Sequence, residues 1–179
     1  MRPTISDPKM VNKVIEEITT YIAANVSYIS EAYGQAVTVI REVEGRPKRI
    51  PAIGQPNKYI EMFPDNRVKN LLFGIAHDPA EIVSQTYEVT RYKQRVSLIF
   101  WVDQRQFNDT LVHLATDEII SDVLSTIKAS GKQMQLLEIY KEPDNVYAGF
   151  DYEIVRAQYL MYPYTGFRLV YQVKYNDPC

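Results

Sequence analysis

Cysteine is nearly absent: the only one in the 179 residues is Cys179, at the C-terminal end. A lone cysteine excludes an internal disulfide and a cysteine metal cluster, and a frayed terminal position suits a nucleophile poorly. Glycine is scarce too, with 7 residues against 10 prolines, which leaves little mobile loop to close over a substrate. Neither GxGxxG nor GxxxxGK[ST] occurs, so no glycine-rich phosphate cradle is expected, and no GxSxG nucleophile elbow is present. The two histidines, His77 and His113, fall in neither HxH nor HxxxH spacing. No catalytic set, metal site or cofactor is therefore expected. Long apolar runs are missing as well, and nothing approaches the ~20 residues that span a bilayer. Met1-Arg2-Pro3-Thr4-Ile5-Ser6 offers no apolar core for a secretory signal. Charge of one sign is also lacking: 20 basic side chains face 22 acidic ones. That balance argues against a basic nucleic-acid module, and 46% hydrophobic content argues against disorder.

What the chain has in surplus is tyrosine, 14 of them. Its length fits one domain over residues 1–179, large enough to bury a core without staples. Val11, Val14, Ile15, Ile18 and Ile22 recur at helical spacing, with Ser6 or Asp7 as the cap, Pro8 in the first turn and a fade near Asn25. Short strands follow as a meander: Ala36 to Arg41, a Glu44-Gly45 turn signal, Arg49 to Ile53, Lys58 to Phe63, a turn at Pro64-Asp65-Asn66, and Leu71 to Ala76. Pro51 removes one ladder donor, which predicts an edge or bulge position. His77-Asp78-Pro79 reads as a turn.

The longest extended segment is Thr86 to Asp103. Val96, Leu98, Phe100 and Val102 share one face, whereas Tyr87 and Val89 have the opposite parity. That change of phase predicts a bend or bulge between about Thr90 and Gln94. A strand this long extends about 60 Å, which predicts that part of it projects. A second helix has Thr116 as N-cap, Asp117 and Glu118 in the first turn, an apolar stripe through Ile119, Ile120, Val123, Leu124 and Ile127, and Gly131 beyond its end. Met134 to Tyr140 is a strand. Val146 to Leu160 fits neither period. In the last strand Phe167, Leu169, Tyr171, Val173 and Tyr175 alternate with Arg168, Val170, Gln172 and Lys174. The order predicts an α+β fold, a mostly antiparallel sheet with two main helices on one face.

Tyr87, Tyr92, Lys93 and Arg95 resemble a stacking surface for single-stranded nucleic acid, but the chain has no net positive charge. A protein–protein contact uses the same residue types, since tyrosine and arginine are enriched at hot spots. Arg91, Tyr92, Lys93 and Arg95, at the phase change, are the first candidate subunit interface. Arg46, Lys48 and Arg49, in the Arg46-Pro47-Lys48-Arg49 turn, are the second; the alternative for that turn is a solvated hairpin tip. Tyr162 to Phe167 is expected to shape a turn and pack the core.

Three stretches carry a resemblance: Arg95-Val96-Ser97-Leu98-Ile99-Phe100-Trp101-Val102-Asp103, the helix Ala115 to Ser130, and Tyr162-Pro163-Tyr164-Thr165-Gly166-Phe167-Arg168. Together they look like tail-terminator or neck (head–tail joining) proteins of tailed bacteriophages and prophages, especially those of Bacteroides-like hosts. Residues from about Asp7 to Asp177 can be laid on that plan. The resemblance implies a tail-terminator-like fold and a structural virion protein rather than an enzyme. It implies a homo-oligomeric ring, a hexamer, that caps the tail tube and joins it to head-completion or neck proteins. Such a ring is assembled in the host bacterial cytoplasm, has no membrane partner and binds no specific nucleic acid, although DNA passes through its lumen. The alternative from another class is a small cytoplasmic ligand-binding domain or enzyme, whose mark is a pocket that collects His77 or His113 with two carboxylates. A third is a nucleic-acid accessory protein, whose binding weakens as salt rises.

Overall fold

The computed structural model describes residues 8–29, 31–55, 58–63, 70–107, 115–151 and 163–178. Ser6, Asp7, the Pro64-Asp65-Asn66 turn, His113, Tyr162, Cys179 and most of the ambiguous segment after Asp151 lie outside them. The fold is α+β with mostly antiparallel sheets. The helices among the described residues are α1 (Met10–Asn25), α2 (Thr116–Ala129) and the short α3 (Pro143–Val146). The strands are β1 (Glu31–Gln35), β2 (Val37–Val43), β3 (Arg46–Gln55), β4 (Lys58–Glu61), β5 (Asn70–Gln85), β6 (Val89–Asp103), β7 (Met134–Tyr140) and β8 (Tyr164–Pro178).

A five-stranded sheet runs in the order β1-β5-β6-β8-β7, and a three-stranded sheet in the order β2-β3-β4. All pairings are antiparallel except β1 with β5. That parallel edge strand leaves little trace in the sequence, because its buried residues are only Ala32 and Gly34. Alternation divides the large sheet into two faces. Leu72, Val96, Leu98, Phe100, Phe167 and Leu169 share a core with Ile15, Ile18 and Ile22 of α1 and with Ile119 and Val123 of α2. The rings of Phe100 and Phe167 stack across strands at 4.6 Å. Each such fully buried side chain contributes about 1.5–3 kcal/mol. On the other face Leu71, Phe73, Ile99 and Trp101 pack under Ile50, Met62 and Phe63 of the small sheet's segment and under Val146 and Tyr147.

Several sequence-based expectations are corrected here. The expected bulge in β6 is absent, since β6 and β8 pair without interruption from Val89↔Pro178 to Asp103↔Tyr164. The irregularities fall in β5 instead, between His77 and Glu81 and between Ile82 and Ser84. Tyr92 and Gln94, not Tyr87 and Val89, continue the helix-covered face, so β6 keeps one phase. Tyr92 stacks on Tyr175, and the Tyr175 hydroxyl donates to Gln94 Oε1 at 2.7 Å. His77-Asp78-Pro79 is part of β5 rather than a turn. Pro51 lies in the middle strand of the small sheet, where the β3·β4 ladder ends at Ala52↔Glu61, and its carbonyl accepts the Met62 N–H at 2.7 Å. The tip of the β2–β3 hairpin is Glu44-Gly45, with φ of 52° and 74° as a two-residue turn of this kind requires, so Arg46 to Arg49 belong to β3. α1 begins at Met10, with Pro8 ahead of it. Thr116 is the first residue of α2 rather than its cap, because its hydroxyl is engaged with Thr165 Oγ1 at 2.7 Å.

Candidate functional site

Among the described residues, cover on the second face of the sheet is partial. Beyond Ile99 the residues that point the same way become polar, and a cavity of about 350 Å³ opens there, lined by His77, Asp78, Arg95, Glu138, Tyr140, Asn145, Ala148, Arg168 and Val170. Strand register assembles it. His77 of β5 faces Arg95 of β6, Ile99 faces Arg168 of β8, and Arg168 faces Tyr140 of β7. A β7 register shift between Leu136 and Glu138 aligns Glu138 with Val170 and brings its carboxylate onto this face.

At the base lies Arg168, only 6% exposed. Its Nε donates to Ser97 Oγ at 2.8 Å and its Nη2 contacts His77 Nε2 at 3.0 Å. Its Nη1 reaches the carbonyls of Asn145 and Ala148 at 3.3 and 3.4 Å. A guanidinium can only donate, so His77 Nε2 accepts and the ring proton belongs on Nδ1. Burial, then the positive charges of Arg168 and Arg95, push the His77 pKa below its ordinary value and keep the ring neutral. Ser97 Oγ is 2.7 Å from His77 Nε2, the separation of a nucleophile and its base. Ser97 is nevertheless fully buried and its oxygen already accepts from Arg168, so the pair serves as a buried polar network rather than a catalytic dyad. Toward solvent, Arg95 Nη2 donates to Glu138 Oε1 at 2.6 Å, and the Tyr140 hydroxyl donates to Glu138 Oε2. The Tyr140 hydrogen bond first, then Arg95, hold the Glu138 carboxyl below the usual range.

The expected interface residues occupy two places. Arg91, Lys93 and Arg95 alternate with Tyr92 on β6, so Tyr92 joins the helix-covered core and the three cations lie on the opposite face. Lys93 is 3.8 Å from Glu81 and Arg95 pairs with Glu138. Tyr87 is 98% exposed beyond the strand, so the aromatic and basic residues do not form one stacking surface. Arg46, Lys48 and Arg49 start β3 on the small sheet, where the Arg49 N–H donates to Asp151 Oδ2 at 2.7 Å. Tyr164 stacks on Trp101 at 4.1 Å, which places that part of the Tyr162–Phe167 stretch in packing.

Arg168 and Ser97 are site residues that sequence pattern does not single out. In-phase alternation showed only that they point away from the helices. The available signal was a serine between apolar neighbours, Ile75 and Ile99, on one face. Among the described residues no group of three or more histidines, cysteines or carboxylates is arranged to hold a metal, and no helix is long and apolar enough to cross a membrane. In comparisons with known proteins, no family model matches the chain and no curated protein matches it significantly.

Proposed function

We propose that this chain is a structural protein of a tailed bacteriophage, a tail-terminator or neck protein that forms a ring at the head–tail junction, caps the tail tube and joins it to the head. The observation that carries the reading is exposed apolar surface on the arm formed by the distal ends of β5 and β6. There Ile82 is 57%, Val83 50% and Tyr87 98% exposed, although Thr90 between them and the Tyr92–Tyr175 pair is buried. At the sheet edge β7 exposes Leu136, Leu137 and Ile139. Apolar surface of this kind on a small protein marks a contact site. An arm on one part of the molecule and an apolar edge on another suit a head-to-tail interface, which closes into a ring when the rotation allows. Arg91, Lys93 and Arg95 flank the arm and would add polar contacts to the neighbour, with Arg46, Lys48 and Arg49 of the hairpin at a second contact or at the lumen. The tail tube protein and the head-completion or neck proteins are the further partners in this reading.

Light scattering with tail tube protein present tests it. The expected mass is about six times that of the 20.7 kDa chain. Ile82→Ser with Val83→Ser should reduce it to that of the monomer while circular dichroism stays unchanged. A wild-type protein that remains monomeric at high concentration refutes the proposal. A second reading, a small ligand-binding domain, is favoured by the cavity that gathers His77 with Asp78 and Glu138.

A further inference from the structure

Arg168 has an unusual balance of charge. Its side chain is more than nine-tenths buried, yet every group it touches is neutral: a serine hydroxyl, an unprotonated imidazole nitrogen and two peptide carbonyls. Both carbonyl contacts are at the long limit of a hydrogen bond. Among the described residues, no carboxylate lies within ion-pair distance of it. The nearby acid, Glu138, has one oxygen on Arg95 and the other under the Tyr140 hydroxyl. Asp78 stands exposed at the rim, on β5. Buried charges in proteins are ordinarily paired, because an unpaired one loses its hydration without compensation. Here the guanidinium has Glu138 only as a through-space counter-charge, with no carboxylate in contact, and it forms part of a cavity wall next to half-exposed Arg95 and the exposed Asn145.

From this cleft we infer that the protein binds a small oxyanion, a carboxylate or phosphate group, against Arg168 and Arg95. The planar fork of an arginine matches two oxygens of either group, and a low-dielectric wall strengthens the contact. Arg95 can swing from Glu138 to the ligand, since it is partly solvated where it stands. A cavity of about 350 Å³ accommodates an ion of this size or the acidic end of a larger metabolite. A metal is disfavoured at the same place, because the imidazole nitrogen that would ligate it is turned to the guanidinium. The inference shares Arg95 with the proposed subunit contact but does not depend on ring assembly, since Arg168 forms the base of the site in the single chain.

The test is a titration of the full chain with inorganic phosphate and, separately, with citrate, each against sodium chloride at equal ionic strength. The reporter is the His77 imidazole signal in NMR, identified by its loss in His77→Gln. The inference expects a saturable shift of that signal with at least one anion and a rise in Tm of about 3 °C at ten times Kd. It also expects affinity to fall tenfold or more in Arg168→Lys, which retains the charge but not the fork, and to weaken in Arg95→Gln. A response to phosphate alone assigns a phosphate ligand, and a response to citrate alone assigns a carboxylate. The inference is overturned if neither anion moves the His77 signal beyond chloride, or if both variants bind as the wild type does. Should the variants fail to fold, the wild-type titration decides by itself.

Discussion

A neutral histidine held against an arginine makes stability depend on pH in a definable direction. His77 takes up a proton less readily when folded than when unfolded, because burial, Arg168 and Arg95 all oppose the second positive charge. The unfolded chain therefore binds the proton first as pH falls. The stabilisation from a neutral His77 is complete above the ordinary histidine value of 6.5 and is lost as pH drops from there toward the lower folded value. Urea midpoints measured from pH 7.5 to pH 5 should fall more steeply for the wild type than for His77→Gln, which shares every neighbouring charge. Equal slopes would remove His77 as the cause. Little of this was legible beforehand. Strand parity put Ser97 and Arg168 on one face, but whether that face meets water or a cover depends on α3 and the segment around Tyr147, far away along the chain.

Helix α1 lies close to its sheet because glycine lets it. A Cβ on Gly74 of β5 would collide with the Ile15 side chain, and one on Gly34 of β1 would collide with the Glu16 carboxylate. The two collisions differ in consequence. Glu16 ends in a flexible tip that can turn aside, whereas Ile15 is β-branched, fully buried and fixed by its neighbours. Gly74→Ala should thus cost about 1–3 kcal/mol by overpacking, read as a lower urea midpoint with an unchanged m-value. Gly34→Ala should cost clearly less, and equal losses would show that the helix shifts as a whole. Elements with strong periods were legible in the sequence: the stripes of α1 and α2, and the alternation of β8, match the buried residues. Short or polar elements were not. β1 carries its burial on alanine and glycine, and the distal half of β5 is mostly exposed, so hydrophobic pattern had nothing to report.

At the scale of the whole molecule, the large sheet shares one hydrophobic cluster with residues of α1 and α2 and another with residues of the small sheet and α3. Among the described residues, Ile82, Val83 and Tyr87 of the arm and Leu136, Leu137 and Ile139 of the β7 edge stand exposed, and a cleft opens around Arg168. The tyrosine surplus distributes over the same division. Tyr28, Tyr147, Tyr171 and Tyr175 are buried, while Tyr59 and Tyr87 stand on exposed surface. Tyr28 also ties the segment after α1 to α2, its hydroxyl donating to Asp122 at 2.7 Å, and burial followed by that carboxylate raises its pKa. Aromatic side chains thus fill the core and also stand on exposed surface. That β6 is a long strand was legible in the sequence, but its partner at the distal end was not, because the β8 residues paired there, Asn176 and Asp177, are polar. The central claim is that copies of this chain join head to tail into closed rings. Electron micrographs of the purified protein, with tail tube protein added as a nucleus, measure that directly. The account predicts closed rings of six copies that vanish in the Ile82→Ser, Val83→Ser protein; fields of isolated monomers with the wild-type chain would contradict it.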